Sequence, residues 1–113
     1  MPRPRRLSGR ALADAAPVFA ALGDETRLAL VARLCADGPQ PIVSLTEGAG
    51  ISRQAVTKHL EALADAGLVQ SAREGRRRIW TVRTERLAEA QAYLQRISRH
   101  WDEALERLRR HVE

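Results

Sequence analysis

ISRQAVTKHLEALADAGLVQSAREGRRRIWTVR, residues 51–83, is the stretch that decides how this chain folds. Its first half has the period of a helix over residues 52–66. Val56, Leu60 and Leu63 recur at helical spacing, Ser52 is a good N-cap, and Gly67 stands where a C′ glycine ends a helix. One face is therefore buried. The start of the other carries Arg53, Gln54, Thr57 and Lys58, with His59 beside them and Ser52 able to offer its hydroxyl or N–H to an anion. Side chains of these types can reach base edges and phosphates in a major groove. The second half reads as a β-hairpin over 68–82, with Leu68 and Val69 on one arm, Ile79, Trp80 and Val82 on the other, and a turn at Glu74 and Gly75. Arg73, Arg76, Arg77 and Arg78 crowd its tip with charge that repels itself on the free protein and releases counterions against a phosphate backbone. An arginine run alone can be a solvated loop. A basic hairpin directly after such a helix points to nucleic acid.

Three segments together resemble a known family: ALGDETRLALVARL at 21–34, ISRQAVTKHLEALADAGLV at 51–69 and REGRRRIWTV at 73–82. Over about residues 15–83 the chain resembles the ArsR-type winged helix-turn-helix transcriptional regulators, and WDEALERLRRHVE at 101–113 resembles a metal-independent branch of them. The resemblance implies a mainly α fold, about five helices with a two-stranded β-hairpin wing, dimerising through its terminal helices. It also implies a homodimeric repressor of a double-stranded DNA operator, with residues 52–66 as recognition helix and 68–82 as wing. The expected DNA-binding residues are Ser52, Arg53, Gln54, Thr57, Lys58, His59, Arg73, Arg76, Arg77 and Arg78.

Residues 1–10 hold four arginines and two prolines without apolar period, and read as a basic flexible tail, either solvated or an arm along DNA. A first helix is expected over 11–22, kinked or split at Pro17, with Phe19 and Leu22 inward. Asp24 then caps a helix whose stripe is Leu28, Val31, Leu34 and Cys35, the last most simply a core thiol. Gly38, Pro39, Gln40 and Pro41 form a turn, followed by a helix over 42–49 that Gly48 weakens by about 1 kcal/mol. Gly50 is the tight turn before Ser52. These pieces give a DNA-binding domain over 11–83.

After the wing, Thr84 starts a long helix over 84–113. Leu87, Ala90, Leu94, Ile97, Trp101, Leu105, Leu108 and Val112 step by three and four along it, more apolar stripe than one peripheral helix of a small core requires. Leu87 and Ala90 are expected to pack within the chain. Leu94, Ile97, Trp101, Leu105 and Leu108, with Phe19 and Leu22, are expected at the dimer interface, by period and by resemblance together.

At 113 residues the chain is one domain with a thin core, and a net charge of +5 favours a polyanionic partner. A single cysteine excludes an intrachain disulfide and fits a reducing compartment. With no signal peptide and no apolar run near eighteen residues, cytoplasmic residence away from membranes is expected. No phosphate loop, nucleophile set or HExxH pair suggests an enzyme. No cofactor and no metal are expected. His100 and His111 match the eleven-residue separation found in the family's last-helix metal site, but counted from the wing that site falls on Thr84 and Arg86, which are poor ligands. The alternatives are an effector- or metal-responsive sensor repressor and a protein-interaction module that has kept the winged fold.

Overall fold

In the computed structural model residues 9–112 are described, so the expectations for residues 1–8 lie outside them. Five helices and three short strands follow one another as α1 (Gly9–Leu22), α2 (Glu25–Asp37), β1 (Gln40–Pro41), α3 (Ile42–Thr46), α4 (Arg53–Asp65), β2 (Val69–Glu74), β3 (Arg77–Val82) and α5 (Thr84–Val112). The fold is mainly helical with a winged helix-turn-helix at its centre. The first helix begins at Gly9, two residues inside the expected tail, and runs unbroken through Pro17. The proline removes a helical N–H toward the Ala13 carbonyl, but both residues are exposed, so that oxygen is open to solvent.

The core gathers around α4. Val56, Leu60 and Leu63 are fully buried, as the period of the sequence requires, and meet Leu30, Val31 and Leu34 of α2, Leu45 of α3, Leu68, Val69 of β2 and Trp80 of β3. Ser52 Oγ accepts the Ala55 N–H at 3.1 Å to start α4. Its end is a Schellman closure: Leu68 N–H bonds to Leu63 O and Gly67 N–H to Ala64 O, with Gly67 at φ +79°. Any other residue would be strained at that φ.

The α2 stripe is rotated from the expected one. Leu30, Val31 and Leu34 are buried, whereas Leu28 is 53% exposed and Cys35 lies on the surface, so Cys35 is not a core thiol. Neither α1 nor α4 approaches the side of α2 on which Leu28 and Cys35 lie one above the other, seven residues apart.

Residues 38–41 hold more than a turn. Gln40 and Pro41 form β1, antiparallel to β3 with Gln40 opposite Trp80 and Pro41 opposite Ile79, making a three-stranded sheet in the order β1, β3, β2. The wing proper remains the two-stranded hairpin of β2 and β3. The following helix ends at Thr46, three residues before the expected end, so Gly48 lies in the turn at φ +76° and carries no mid-helix penalty. Arg33 of α2 closes that helix from outside: its guanidinium donates to Ser44 O at 2.8 Å, Leu45 O at 3.1 Å and Glu47 O at 3.0 Å. A five-residue helix cannot sustain itself in water, and a cation on its last carbonyls supplies both hydrogen bonds and favourable charge.

The last helix has two regimes. Its first turns pack within the chain: Ala90 is buried, Leu87 is half-buried against the core, and Tyr93 meets Phe19 of α1 at a ring separation of 5.7 Å. Beyond Ile97 it projects, with Trp101 63%, Leu105 45% and Leu108 61% exposed. The radius of gyration is 18.2 Å, against about 13 Å for a compact chain of this length, and the long axis is 62 Å. The excess is the projecting helix.

Candidate nucleic-acid interface

The buried stripe of α4 presses one side of that helix on the core and turns the other to solvent. Arg53, Gln54, Thr57 and Lys58 line a single open surface together with Glu61. Arg53, Gln54 and Lys58 are exposed; Thr57 is half-buried, and its Oγ1 donates back to the Arg53 carbonyl at 2.9 Å, which restricts its rotamer and leaves the hydroxyl oxygen able to accept. Ser52 is exposed at the head of this surface with its Oγ occupied by Ala55 N–H, so its own hydroxyl hydrogen is the group left for an anion. Glu61 continues the face, three residues after Lys58 and four after Thr57. The helical period that places the others reaches it too, though a carboxylate among cations is no obvious partner for a polyanion. Glutamate accepts from cytosine N4 and repels phosphate.

His59 turns away from this surface. Its side chain is 25% exposed, and Nδ1 accepts a hydrogen bond from Arg27 Nε of α2 at 3.3 Å, with Asp24 Oδ2 3.9 Å away. The Arg27 backbone N–H, bonded to Asp24 Oδ2 at 3.0 Å, is the main cause holding the Asp24 carboxyl below the ordinary carboxylate range, and the charge of Arg27 acts in the same direction.

The hairpin divides its arginines by the pleat. Arg73 stands directly opposite Arg78, on the face shared with buried Val69 and Trp80; Arg77 stands opposite Glu74 on the other face; Arg76 lies in the turn after Gly75. All four are exposed. Like charges directly opposite destabilise a strand pair, whereas Glu74 offsets Arg77. Among the described residues no carboxylate lies within ion-pair distance of Arg73, Arg77 or Arg78, so Glu74 acts on Arg77 only by its register position. A polyanion laid across that face removes the repulsion.

A helix-turn-helix domain family model matches residues 22–71, which run from the end of α1 into β2. An HTH-type transcriptional regulator of Bacillus subtilis, YuzN, is 38% identical, the match covering 62% of this chain and 83% of that one. Among solved structures, an ArsR-like transcriptional regulator from Rhodococcus sp. RHA1 superposes with a TM-score of 0.77 at 36% identity, covering 92% of this chain and 97% of its own. The chain belongs to the ArsR-like family of helix-turn-helix transcriptional regulators. It is therefore a DNA-binding transcriptional regulator and not an enzyme. A third relative, a possible ArsR-family regulator of Mycobacterium bovis solved as a homodimeric winged helix-turn-helix DNA-binding domain, superposes with a TM-score of 0.64 at 26% identity, covering 87% of this chain and 90% of that one.

Among the described residues of this regulator, no three His, Cys, Asp or Glu side chains gather where they could hold a metal ion. His100 and His111 are both exposed on the projecting part of α5. No described helix is long and apolar enough to cross a membrane. Leu94, Trp101, Leu105 and Leu108 are exposed and Ile97 is half-buried, while Phe19 and Leu22 are half-buried against the core.

Proposed function

We propose that this regulator is a homodimeric, sequence-specific repressor, acting in the cytoplasm by occupying an operator and excluding polymerase. Residues 11–83 are the DNA-binding domain and 84–113 the dimerisation helix. The observation that carries the reading is the pairing of an exposed polar face on α4 with an arginine-bearing hairpin on one rigid frame. In it, Gln54 and Thr57 approach base edges, Arg53 and Lys58 serve bases or phosphates, Ser52 donates to a phosphate, and the wing arginines meet the adjacent backbone or minor groove. The uncovered row Leu94, Ile97, Trp101, Leu105 and Leu108, extended by Phe19 and Leu22, takes the second subunit, which sets two half-sites about one helical turn apart. The homodimeric state of the Mycobacterium bovis relative supports this arrangement. Repression operates without a resident metal, because Thr84 and Arg86 stand where the family's last-helix ligands begin.

The test needs a duplex selected by the wild-type protein from a random-sequence library, with the unselected pool as comparison. Gln54→Ala should cost about 1–3 kcal/mol on the selected duplex and little on the pool, relaxing preference at one position in each half-site. If Gln54→Ala, Arg53→Ala and Lys58→Ala all leave the selected duplex bound as before, the winged helix is not used on DNA and the protein-interaction reading replaces this one.

A further inference from the structure

The segment ALGDETRL at 21–28 is one of those that carry the family resemblance, yet none of it lies on the proposed DNA-facing surface, and two of its polar side chains, Asp24 and Arg27, converge on one point. Asp24 caps α2 by accepting the Arg27 N–H, which anchors the backbone of Arg27 in the first turn. From there the guanidinium spans three helices. Its Nη1 donates to Ala21 O near the end of α1 at 3.5 Å, and its Nε donates to His59 Nδ1 on α4, thirty-two residues away in sequence, at 3.3 Å. Arginine has donors only, so Nδ1 must offer a lone pair, and the neutral imidazole carries its proton on Nε2.

We propose that Arg27 and His59 are positioning residues that pin the rotation of the recognition helix about its own axis, so that the regulator's sequence preference, more than its affinity for DNA as such, depends on their hydrogen bond. This rests on the function proposed above. Val56, Leu60 and Leu63 hold α4 on the core by contacts that have no direction, whereas the Arg27 bond has one. Side-chain tips lie about 5–6 Å from a helix axis, so a turn of about 10° displaces them by about 1 Å. A displacement of that size takes a hydrogen bond to a base edge out of its working range of about 2.7–3.2 Å. Phosphate contacts made by long, flexible Arg53 and Lys58, and by the wing, tolerate it. Loss of the pin therefore lowers discrimination selectively.

The experiment uses the full-length dimer, the selected duplex and the random pool. Arg27→Met keeps the unbranched stem and removes every donor. It is expected to weaken the selected duplex at least tenfold while pool binding stays within threefold. His59→Asn puts an amide oxygen where Nδ1 stands and should keep most of the preference; His59→Gln puts its polar end where Nε2 stands and should lose it as Arg27→Met does. Thermal unfolding accompanies each variant. Equal weakening on both DNAs would mean that Arg27 only supports the fold, and an unchanged ratio would mean that it does nothing for reading; either overturns the proposal. If Arg27→Met does not fold, the Asn and Gln variants decide, and equal preference in the two overturns it. Loss of preference in Gln54→Ala with none in Arg27→Met refutes the pin alone, whereas loss in neither refutes the function on which it rests.

Discussion

Replacing the apolar side chains of the projecting half of α5 by alanine is expected to split the proposed dimer without unfolding the subunit. Trp101 and Leu105 are 63% and 45% exposed in the single chain, and Ala90 and Leu87 hold the base of the helix to the core independently of them. Complete burial of a large apolar side chain is worth about 1.5–3 kcal/mol. Scaled by the exposed fractions, an interface that covers both residues gains about 1–2 kcal/mol from Trp101 and about 0.7–1.4 from Leu105 in each subunit. A two-fold interface counts every such residue twice, so Trp101→Ala with Leu105→Ala should weaken dimerisation by roughly 3–6 kcal/mol, a factor of about a hundred to ten thousand. Sedimentation equilibrium from nanomolar to high micromolar concentration reads that shift, and circular dichroism establishes that the variant keeps its helices and its unfolding transition. A wild-type protein that sediments as a monomer at micromolar concentration, or a double variant whose dimerisation constant moves less than threefold, would refute the reasoning.

The wing should show the division made by its register. Arg78→Ala is expected to flatten the dependence of log K on log salt by about one unit for each phosphate that a subunit ceases to neutralise, with a smaller change for Arg77→Ala because Glu74 already faces Arg77; equal slopes would show that the pleat does not matter. Gly67→Ala should destabilise the protein by roughly 1–2 kcal/mol in urea unfolding, since Gly67 sits at φ +79° and an added Cβ would meet Arg86 Nε at 3.0 Å. The Asp24 carboxyl is held below its ordinary range in the folded state, so its contribution is complete above that range and is lost as pH falls through the folded value. Asp24→Asn, which can still cap but carries no charge, should therefore be less stable than the wild type at neutral pH and show a flatter acid limb below about pH 4, the two curves converging as Asp24 protonates; an identical acid limb in urea titrations of the two proteins contradicts this. Stoichiometric zinc should leave affinity for the selected duplex within about threefold, well short of the 1–3 kcal/mol usual for an allosteric effector; release by micromolar zinc, abolished in His100→Ala, would restore the sensor reading.

The centre of the fold is legible in the sequence because its signals are local. Ser52, the spacing of Val56, Leu60 and Leu63, and Gly67 each act within a few residues, and the start, buried face and end of α4 follow from them. What escapes the sequence depends on distant partners. A two-residue strand exists only because β3 lies beside Gln40 and Pro41, and α3 stops where Arg33 reaches its carbonyls from eleven to fourteen residues upstream. The rotation of α2 differs from the expected one because its apolar arc is wide, and which part is covered depends on where α1 and α4 arrive. Helical period places the surface of α4 as far as Lys58, and the same period leads on to Glu61. His59 lies on the same helix, but its engagement by Arg27 spans thirty-two residues of chain and leaves no local signal.

The short strand β1 also has a mechanical consequence. It latches onto β3 only at Ile79 and Trp80, where the hairpin rests on the core, and leaves Arg77 and Arg78 with a partner on one side alone. The sheet is thus paired on both sides of β3 at the root of the hairpin and on one side at its end, and the boundary falls within one residue of the arginines. Charge carried where the sheet is paired on one side alone can follow a groove whose width varies from sequence to sequence, while the helix proposed to read the bases is held on the core beside the root of the hairpin.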